Sequence, residues 1–219
     1  MPTTLFKITA ATALFAGVHS LLASRAAKRA AVRLLGERRR NVLYRPLYNA
    51  QAVLTFGALV VYGARLPDRE LYRVRGLLAR GMQAGQVVAL VCLLDGTRRV
   101  GFLRFLGVPN LVAAFAGDRN VTAEPEAQGP APDADGRLNT SGPFRVCRHP
   151  LNAAMLPVLW LMPRMTANLL AFNAVTTIYL VLGSLHEEKR LEESYGEAYN
   201  EYRKSGAGFL APSITRLLR

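Results

Sequence analysis

Two short stretches of the chain carry the residue types from which a reactive site could be built. The first is Arg148-His149-Pro150-Leu151-Asn152, which follows a polar approach rich in glycine and proline and opens an apolar run. The second is His186-Glu187-Glu188, at the end of a later apolar run. Guanidinium, imidazole and carboxylate groups at these positions favour a charged ligand, because ionised groups make the strongest hydrogen bonds in proteins.

Tyrosines mark the segment that follows the second stretch. A single helix is predicted from His186 to Lys204, and Tyr195, Tyr199 and Tyr202 are spaced four and three residues apart on one face of it. A stripe of this kind is most often packing. Here the helix begins with the acidic pair, so carboxylates could hold an ammonium group, arginines a carboxylate, and aromatic rings a purine or a sulfonium. S-adenosylmethionine is a ligand that has all of these parts.

The elements that must position these residues are predicted to lie in a membrane. The chain has 219 residues, 51% of them hydrophobic, and a formal net charge of +13. Long apolar runs alternate with arginine-rich connectors, which is typical of a polytopic membrane protein. The sequence therefore predicts an all-α, polytopic membrane helix bundle with about five transmembrane helices, a re-entrant or interfacial segment and a cytoplasmic C-terminal helix. The predicted spans are residues 4–24, 44–64, 76–94, 150–162 and 167–185.

The connectors have their own predicted roles. Ala26 to Leu35, inside a basic connector, is predicted to form an amphipathic interfacial helix with its arginines toward lipid headgroups. The polar run from Asp95 to Arg99 is predicted to break the helix, and the apolar residues after it to form the re-entrant or interfacial segment. We expect three regions: N-terminal transmembrane helices and interfacial segment at 1–117, a flexible loop at 118–137, and a cofactor-binding helix pair with its tail at 138–219.

The last two spans are predicted to form an antiparallel hairpin. Pro163-Arg164-Met165 makes a turn between them, so His149 and His186 should return to the same membrane face. With the N-terminus outside, the inner segments hold 21 of the 28 basic residues. This bias predicts that both chemistry-bearing stretches face the cytoplasm.

Several classes of protein are disfavoured by what the sequence contains. No segment combines a basic face with base-reading residues, which argues against a nucleic-acid partner. His186-Glu187-Glu188-Lys189-Arg190 is not the His-Glu-x-x-His pattern of zinc proteases, and no Walker loop, dinucleotide-binding glycine pattern or Gly-x-Ser-x-Gly elbow is present. We predict no metal site, although the three histidines could in principle meet. The alternating strands and helices of a soluble methyltransferase are missing as well.

The two stretches together resemble a known family. Gly142-Pro143-Phe144-Arg145-x-x-Arg148-His149-Pro150-Leu151-Asn152, followed by Glu187-Glu188-x-x-Leu191-x-x-x-Tyr195-Gly196-x-x-Tyr199-x-x-Tyr202, is similar to the signature of the isoprenylcysteine carboxyl methyltransferase-like superfamily. His19-Ser20-Leu21-Leu22-Ala23-Ser24 and Tyr44-Arg45-x-Leu47-Tyr48-Asn49 resemble its bacterial branch, which holds NnrU-type proteins and methanethiol S-methyltransferases.

The resemblance implies an integral membrane methyltransferase that uses S-adenosylmethionine. Together with the charge bias, it predicts a protein of the bacterial inner membrane with its active site facing the cytoplasm. By position, Arg148, His149 and Pro150 would shape the cofactor pocket, and Glu187 or Glu188 would anchor the polar end of the cofactor. Tyr199, Tyr202 and Arg203 would close the pocket. The remaining candidate cofactor-binding residues are Arg145, Leu151, Asn152 and His186. The candidate catalytic residues are Arg148, His149 and Glu187.

The resemblance leaves the methyl acceptor open. A small thiol, a prenylated compound, a phospholipid amine and an isoprenoid carboxylate all fit, and a lipophilic acceptor would enter from the bilayer. Many members have tyrosine where this chain has Asn152, which suggests a different acceptor. Two other functions stay open: a non-enzymatic, NnrU-type accessory membrane protein, and a membrane reductase that uses NADPH. The sequence says nothing about oligomeric state.

Overall fold

The computed structural model describes residues 2–123, 129–130, 135 and 137–218. Within them the helices are α1 (Pro2–Ala23), α2 (Arg25–Leu35), α3 (Glu37–Arg65), α4 (Gly76–Val100), α5 (Phe102–Leu106), α6 (Val108–Phe115), α7 (Pro150–Trp160), α8 (Ala167–Tyr195), α9 (Glu197–Lys204) and α10 (Ile214–Leu217). Two short strands, β1 (Glu70–Arg73) and β2 (Arg164–Thr166), pair with each other. A single 3-10 turn covers Gly142–Arg145.

The predicted all-α, polytopic fold is confirmed. Helices α1, α3, α4 and α8 are long and apolar enough to cross a membrane, and α7 is a shorter apolar helix. They correspond to the five predicted spans, and the shortest of the five was predicted from the thirteen apolar residues between Pro150 and Met162. The chain is therefore an integral membrane protein, and four helices among its described residues reach membrane length.

The chain divides into two compact units, and the first comprises Met1–Arg69, Phe102–Glu124 and Thr166–Thr176. Helices α1, α2 and α3 pack against one another, and α3 also packs against α5 and α6. The hydroxyl of Tyr44 donates to the carbonyl of Leu22 at 2.6 Å, which ties α3 to the end of α1. Ser24 accepts a hydrogen bond from the amide of Ala27, as an N-cap should, so the predicted interfacial helix begins at Arg25.

The region between the third and fourth spans differs in part from the prediction. The predicted helix break at Asp95 to Arg99 is wrong, because α4 continues to Val100 and ends at Gly101, which has a φ of 99°. Thr97 and the ion-paired Asp95 and Arg99 satisfy their polar groups on the helix itself, so a polar turn can continue the helix beyond the apolar part. Helices α5 and α6, with 5 and 8 residues, are too short to span, as the re-entrant or interfacial prediction requires.

The predicted flexible loop at 118–137 lies partly outside the described residues. At its start, Arg38 donates to the carbonyl of Asp118 at 3.1 Å and Asn41 to the carbonyl of Val121 at 2.9 Å. The first residues of the loop are therefore fastened to the beginning of α3. The division into regions at 1–117, 118–137 and 138–219 stays a prediction.

The second unit comprises Glu70–Gly101, Pro125–Met165 and Thr177–Arg219. Helix α4 packs closely against α7, since a Cβ built on Gly85 would lie 2.6 Å from Cδ1 of Leu161. The side-chain amide of Gln86 donates to the carbonyl of Val158 at 3.0 Å, which satisfies a polar group inside an otherwise apolar contact.

The predicted hairpin is present in this unit. Asn152 on α7 bonds to Ser184 on α8 at 2.8 Å, and Trp160 bonds to Thr177 at 3.0 Å. Residue numbers rise along α7 as they fall along α8, so the two helices run antiparallel. The predicted turn at Pro163-Arg164-Met165 is partly extended, because β2 begins at Arg164.

The predicted single helix from His186 to Lys204 is wrong. Helix α8 ends at Tyr195 and α9 starts at Glu197, with Gly196 between them at a φ of 53°. Glycine adopts this left-handed conformation without steric cost, so it can redirect the chain here. As a result Tyr199 and Tyr202 are buried against Leu191 and Ala207, while Tyr195 is only partly buried.

Candidate functional site

The two chemistry-bearing stretches meet at one carboxylate, that of Glu188. Its Oε1 accepts from Nε of Arg148 at 3.0 Å, from Nε2 of His149 at 2.8 Å and from the hydroxyl of Tyr199 at 2.6 Å. Because a carboxylate only accepts hydrogen bonds, the proton between His149 and Glu188 belongs to the histidine. We call these four residues the Glu188 cluster.

Proline sets the position of His149. The residue before a proline is disfavoured in the helical conformation, and His149 has φ −119° and ψ 61°. Pro150 therefore opens α7, and the carbonyl of His149 accepts from the amide of Ala153 at 2.9 Å. The imidazole is held just outside the apolar helix, and the residue is only 5% exposed.

The C-terminal tail lies beside the Arg-His-Pro turn. Cys147 and Gly208 form a parallel β-bridge. The amide of Arg148 donates to the carbonyl of Gly208 at 2.7 Å, and that of His149 to the carbonyl of Phe209 at 3.3 Å. The ring of Phe209 packs edge-on to His149, with centroids 5.1 Å apart, and lies 5.7 Å from the guanidinium carbon of Arg148. Nothing in the sequence pattern singled out Phe209, because its role depends on this backbone pairing.

Two phenols support the turn from α9. Tyr199 donates to Glu188, and the hydroxyl of Tyr202 lies 2.5 Å from the carbonyl of Phe144 and 3.1 Å from that of Cys147. Burial raises the pKa of Tyr199, and the hydrogen bond to Glu188 raises it further. Burial also raises the pKa of Tyr202. Both phenols therefore stay protonated and act as donors.

Cys147 lies inside the turn but is not built as a nucleophile. The thiol is buried and lies 3.3 Å from the carbonyl of Phe209, to which it can donate. Burial raises the pKa of Cys147, and this outweighs the nearby Arg148. A protonated, enclosed thiol is a packing group.

The end of α4 holds the approach to the turn. Arg99 donates to Asp95 at 2.8 Å and to the hydroxyl of Ser141 at 2.5 Å. A Cβ built on Gly142, whose φ is 60°, would lie 2.3 Å from Nε of Arg99, so the guanidinium occupies the place of a side chain. Sequence reasoning missed Arg99 because the polar run around it was interpreted as a helix break.

The other candidate residues lie outside the Glu188 cluster. Pro150 is buried, and a Cβ built on Gly96 would lie 3.6 Å from Cγ of Leu151. Asn152 donates to Ser184, which is fully buried. Arg145 and His186 are exposed, Arg203 is exposed and paired with Glu192, and Glu187 is partly buried. Within the described ranges, no group of three or more histidine, cysteine, aspartate or glutamate side chains could hold a metal ion.

Fold and site together define the class: a polytopic helical membrane protein whose Arg-His-Pro turn is joined to an acidic, tyrosine-marked helix. Comparison with known proteins agrees with this class. The chain is 38% identical over 91 residues to the methanethiol S-methyltransferase of Pseudomonas deceptionensis, a match that covers 42% of the chain and 34% of that protein. It is 39% identical over 69 residues to the methanethiol S-methyltransferase of Pseudomonas sp. (strain GM41(2012)), covering 32% and 26%. It is also 37% identical over 68 residues to methanethiol S-methyltransferase 1 of Bradyrhizobium diazoefficiens, covering 31% and 24%.

These matches confirm the resemblance to membrane methyltransferases of the isoprenylcysteine carboxyl methyltransferase-like family. The matched part of the chain spans a quarter to a third of the length of these curated relatives. No family model matches the chain. No solved structure matches it significantly.

Proposed function

We propose that the protein transfers a methyl group from S-adenosylmethionine to a small thiol. The observation that carries the proposal is the meeting of the Arg-His-Pro turn and the acidic helix at Glu188. Relatives that are named methanethiol S-methyltransferases favour a thiol over the other acceptors that the sequence leaves open.

The charged side chains near the turn fit the polar groups of the proposed cofactor. S-adenosylmethionine, when bound, supplies a methyl group already activated on a sulfonium. Oε1 of Glu188 already accepts three hydrogen bonds, so we assign the cofactor's ammonium group to the neighbouring Glu187. The exposed cations Arg145 and Arg203 are the candidates for its carboxylate.

The remaining candidate residues have positioning roles in this proposal. Arg148, His149, Pro150, Tyr199 and Tyr202 form one wall of the proposed pocket. Arg148, His149 and Tyr199 are hydrogen-bonded to Glu188, and Tyr202 to the carbonyl of Phe144. Asn152 and Ser184 form a hydrogen-bonded polar pair about one helical turn along α7 and α8 from His149 and Glu188. His186 is exposed to solvent and has no assigned contact with the cofactor in this proposal. A wall of this kind aligns the reactants and excludes water, which is most of what methyl transfer needs from a protein.

The proposed orientation places this wall on the cytoplasmic side of a bacterial inner membrane. The support is the bias of basic residues toward the segments that would lie inside, 21 of 28. A lipophilic acceptor could then enter from the bilayer and a soluble cofactor from the cytoplasm.

A binding measurement tests the cofactor. Isothermal titration of the purified protein with S-adenosylhomocysteine should give a measurable affinity, and Glu187→Gln should weaken it by about tenfold or more, since the negative charge that pairs with the ammonium group is lost. Glu193→Gln, an exposed carboxylate on the same helix, is the matched control and should bind as the wild type does. Equal affinity in Glu187→Gln and the wild type would contradict the assignment of Glu187.

An activity measurement tests the reaction. Methanethiol and S-adenosylmethionine should yield dimethyl sulfide, detected by gas chromatography of the headspace. Oxidation of NADPH instead would identify a reductase. Absence of both reactions, together with absence of S-adenosylhomocysteine binding, would favour the accessory role.

A further inference from the structure

The imidazole of His149 uses one nitrogen inside the Glu188 cluster. Nε2 lies 2.8 Å from Oε1 of Glu188, which also accepts from Arg148 and Tyr199. An oxygen that receives a guanidinium and a phenol belongs to a carboxylate, so Nε2 must carry a proton. In the neutral ring the other nitrogen, Nδ1, therefore presents a lone pair.

Nδ1 is positioned but not occupied by the protein. It makes no hydrogen bond within the part of the chain that the structure describes, and it is not fully shielded from solvent. The side chain as a whole is only 3% exposed, and Phe209 packs edge-on against the ring. A nitrogen lone pair on a ring that is so little exposed is accessible only to a small molecule.

We infer that His149 and Glu188 form a general-base dyad that removes a proton from the attacking atom of the acceptor. This inference rests on the proposed methyl transfer and selects among its acceptors. A carboxylate acceptor is already ionised near neutral pH and needs no base, whereas a thiol must become a thiolate before it attacks. The dyad therefore disfavours a carboxylate acceptor and favours one that must lose a proton before it attacks, as the small thiol of the proposed function must.

The step balances in atoms and charge. The S–H bond of the acceptor breaks, its proton passes to Nδ1, and its electron pair stays on sulfur. That sulfur forms a bond to the methyl carbon as the bond from the methyl carbon to the donor sulfonium breaks, and the electron pair of that bond goes to the donor sulfur. The imidazolium that results is stabilised by Glu188, which Arg148 and Tyr199 hold in place, and it then releases its proton to solvent.

A comparison of acceptors isolates the proton transfer. A selenol of the same size is more acidic than the thiol and is largely ionised near neutral pH, so it needs no base. We expect His149→Gln to slow transfer to the thiol by on the order of 100-fold, the range of general-base catalysis, and to slow transfer to the selenol far less. His19→Gln, which changes a histidine paired with a tyrosine, is the matched control and should treat both acceptors as the wild type does.

A measurement without cofactor or acceptor reads the dyad directly. The chain has three histidines, so nitrogen NMR of protein labelled at histidine can be assigned by single substitutions. We expect the neutral His149 of the wild type to carry its proton on Nε2, and Glu188→Leu, which removes the acceptor, to abolish this preference. A neutral His149 protonated on Nδ1 would overturn the inference even if His149→Gln failed to fold.

The outcomes separate this inference from the function on which it rests. Equal losses with thiol and selenol in His149→Gln, or a raised KM for S-adenosylmethionine with unchanged kcat, would overturn the dyad and leave the methyltransferase in place. A wild-type protein that binds no S-adenosylhomocysteine and methylates neither acceptor would overturn the proposed function itself.

Discussion

Two histidines of this chain are held through Nε2 by a side chain, and their partners differ in charge. His19, in the first unit, lies 2.6 Å from the hydroxyl of Tyr48. Its ring stacks on Phe15, with centroids 5.6 Å apart, and tilts against the ring of Tyr48 at 4.8 Å. His149, in the second unit, is bonded to a carboxylate that also accepts from a guanidinium and a phenol.

The charge of the partner is our basis for assigning a packing role to His19 and, in the proposed reaction, a chemical role to His149. A histidine and a tyrosine can satisfy each other as neutral groups, and the rings of Phe15 and Tyr48 pack against that of His19. The carboxylate beside His149 can only accept a hydrogen bond from the ring, and the proposed general base depends on this arrangement. The first pair joins α1 to α3, whereas the second joins the Arg-His-Pro turn to α8 and α9.

The largest effect is expected from removing the charge of Glu188. Glu188→Gln leaves Arg148, whose side chain is 16% exposed, without its ionic partner. Breaking such an enclosed pair costs about 3–5 kcal/mol, and methyl transfer should be lost. Thermal melting of the purified protein in detergent measures the change in stability. Glu192→Gln removes a carboxylate from an exposed pair with Arg203 and should cost less than about 1 kcal/mol. Equal melting shifts in the two variants would contradict the special role of Glu188.

A smaller effect is expected from the phenol of the cluster. Tyr199→Phe keeps the buried ring but removes the 2.6 Å hydrogen bond to Glu188. A hydrogen bond to a charged group contributes about 1.5–3 kcal/mol, so melting should fall measurably and the rate with thiol more than the affinity for S-adenosylhomocysteine. Tyr202→Phe removes a hydroxyl that bonds to two carbonyls and is the paired comparison. We expect Tyr202→Phe to change stability with little effect on rate, and the reverse order would contradict the assignment of Tyr199 to the cluster.

The convergence at Glu188 could be predicted only in part from the sequence. The apolar runs before and after Pro163 predicted the antiparallel hairpin, and the hairpin predicted that His149 would approach the acidic pair. The choice between Glu187 and Glu188 could not be made, because it depends on which face of α8 meets the turn. The break at Gly196 was not predicted either, because the spacing of the tyrosines indicated one continuous helix. The positive φ of Gly196 redirects the chain, so that Tyr199 reaches Glu188. Phe209 and Arg99 act through backbone pairing and a missing Cβ, which leave no pattern in residue types.

A still smaller effect on stability is expected at Gly142, where the approach to the turn meets the end of α4. Gly142→Ala places a Cβ 2.3 Å from Nε of Arg99 and forces a φ of 60° on a non-glycine residue. The left-handed conformation costs about 1–2 kcal/mol, and Arg99 must also leave Ser141. We expect a lower melting temperature and a partial loss of activity. Gly57→Ala, where a Cβ meets nothing within 4 Å, should not destabilise the protein. If Gly142→Ala behaved as Gly57→Ala does, Arg99 would not fix the turn.

The smallest effect is expected from the neutral pair, and it is the sharpest test of the comparison. Tyr48→Phe removes the hydroxyl bonded to His19 but keeps the ring that packs against it. The loss is one hydrogen bond between neutral groups, about 1 kcal/mol, so the melting temperature should fall by a few degrees. Methyl transfer, measured in the folded range, should equal that of the wild type with both thiol and selenol, because the hydrogen bond that is lost joins two neutral groups. A loss of activity with thiol alone would show that the first unit also controls a proton, and the division between a packing histidine and a chemical one would fail.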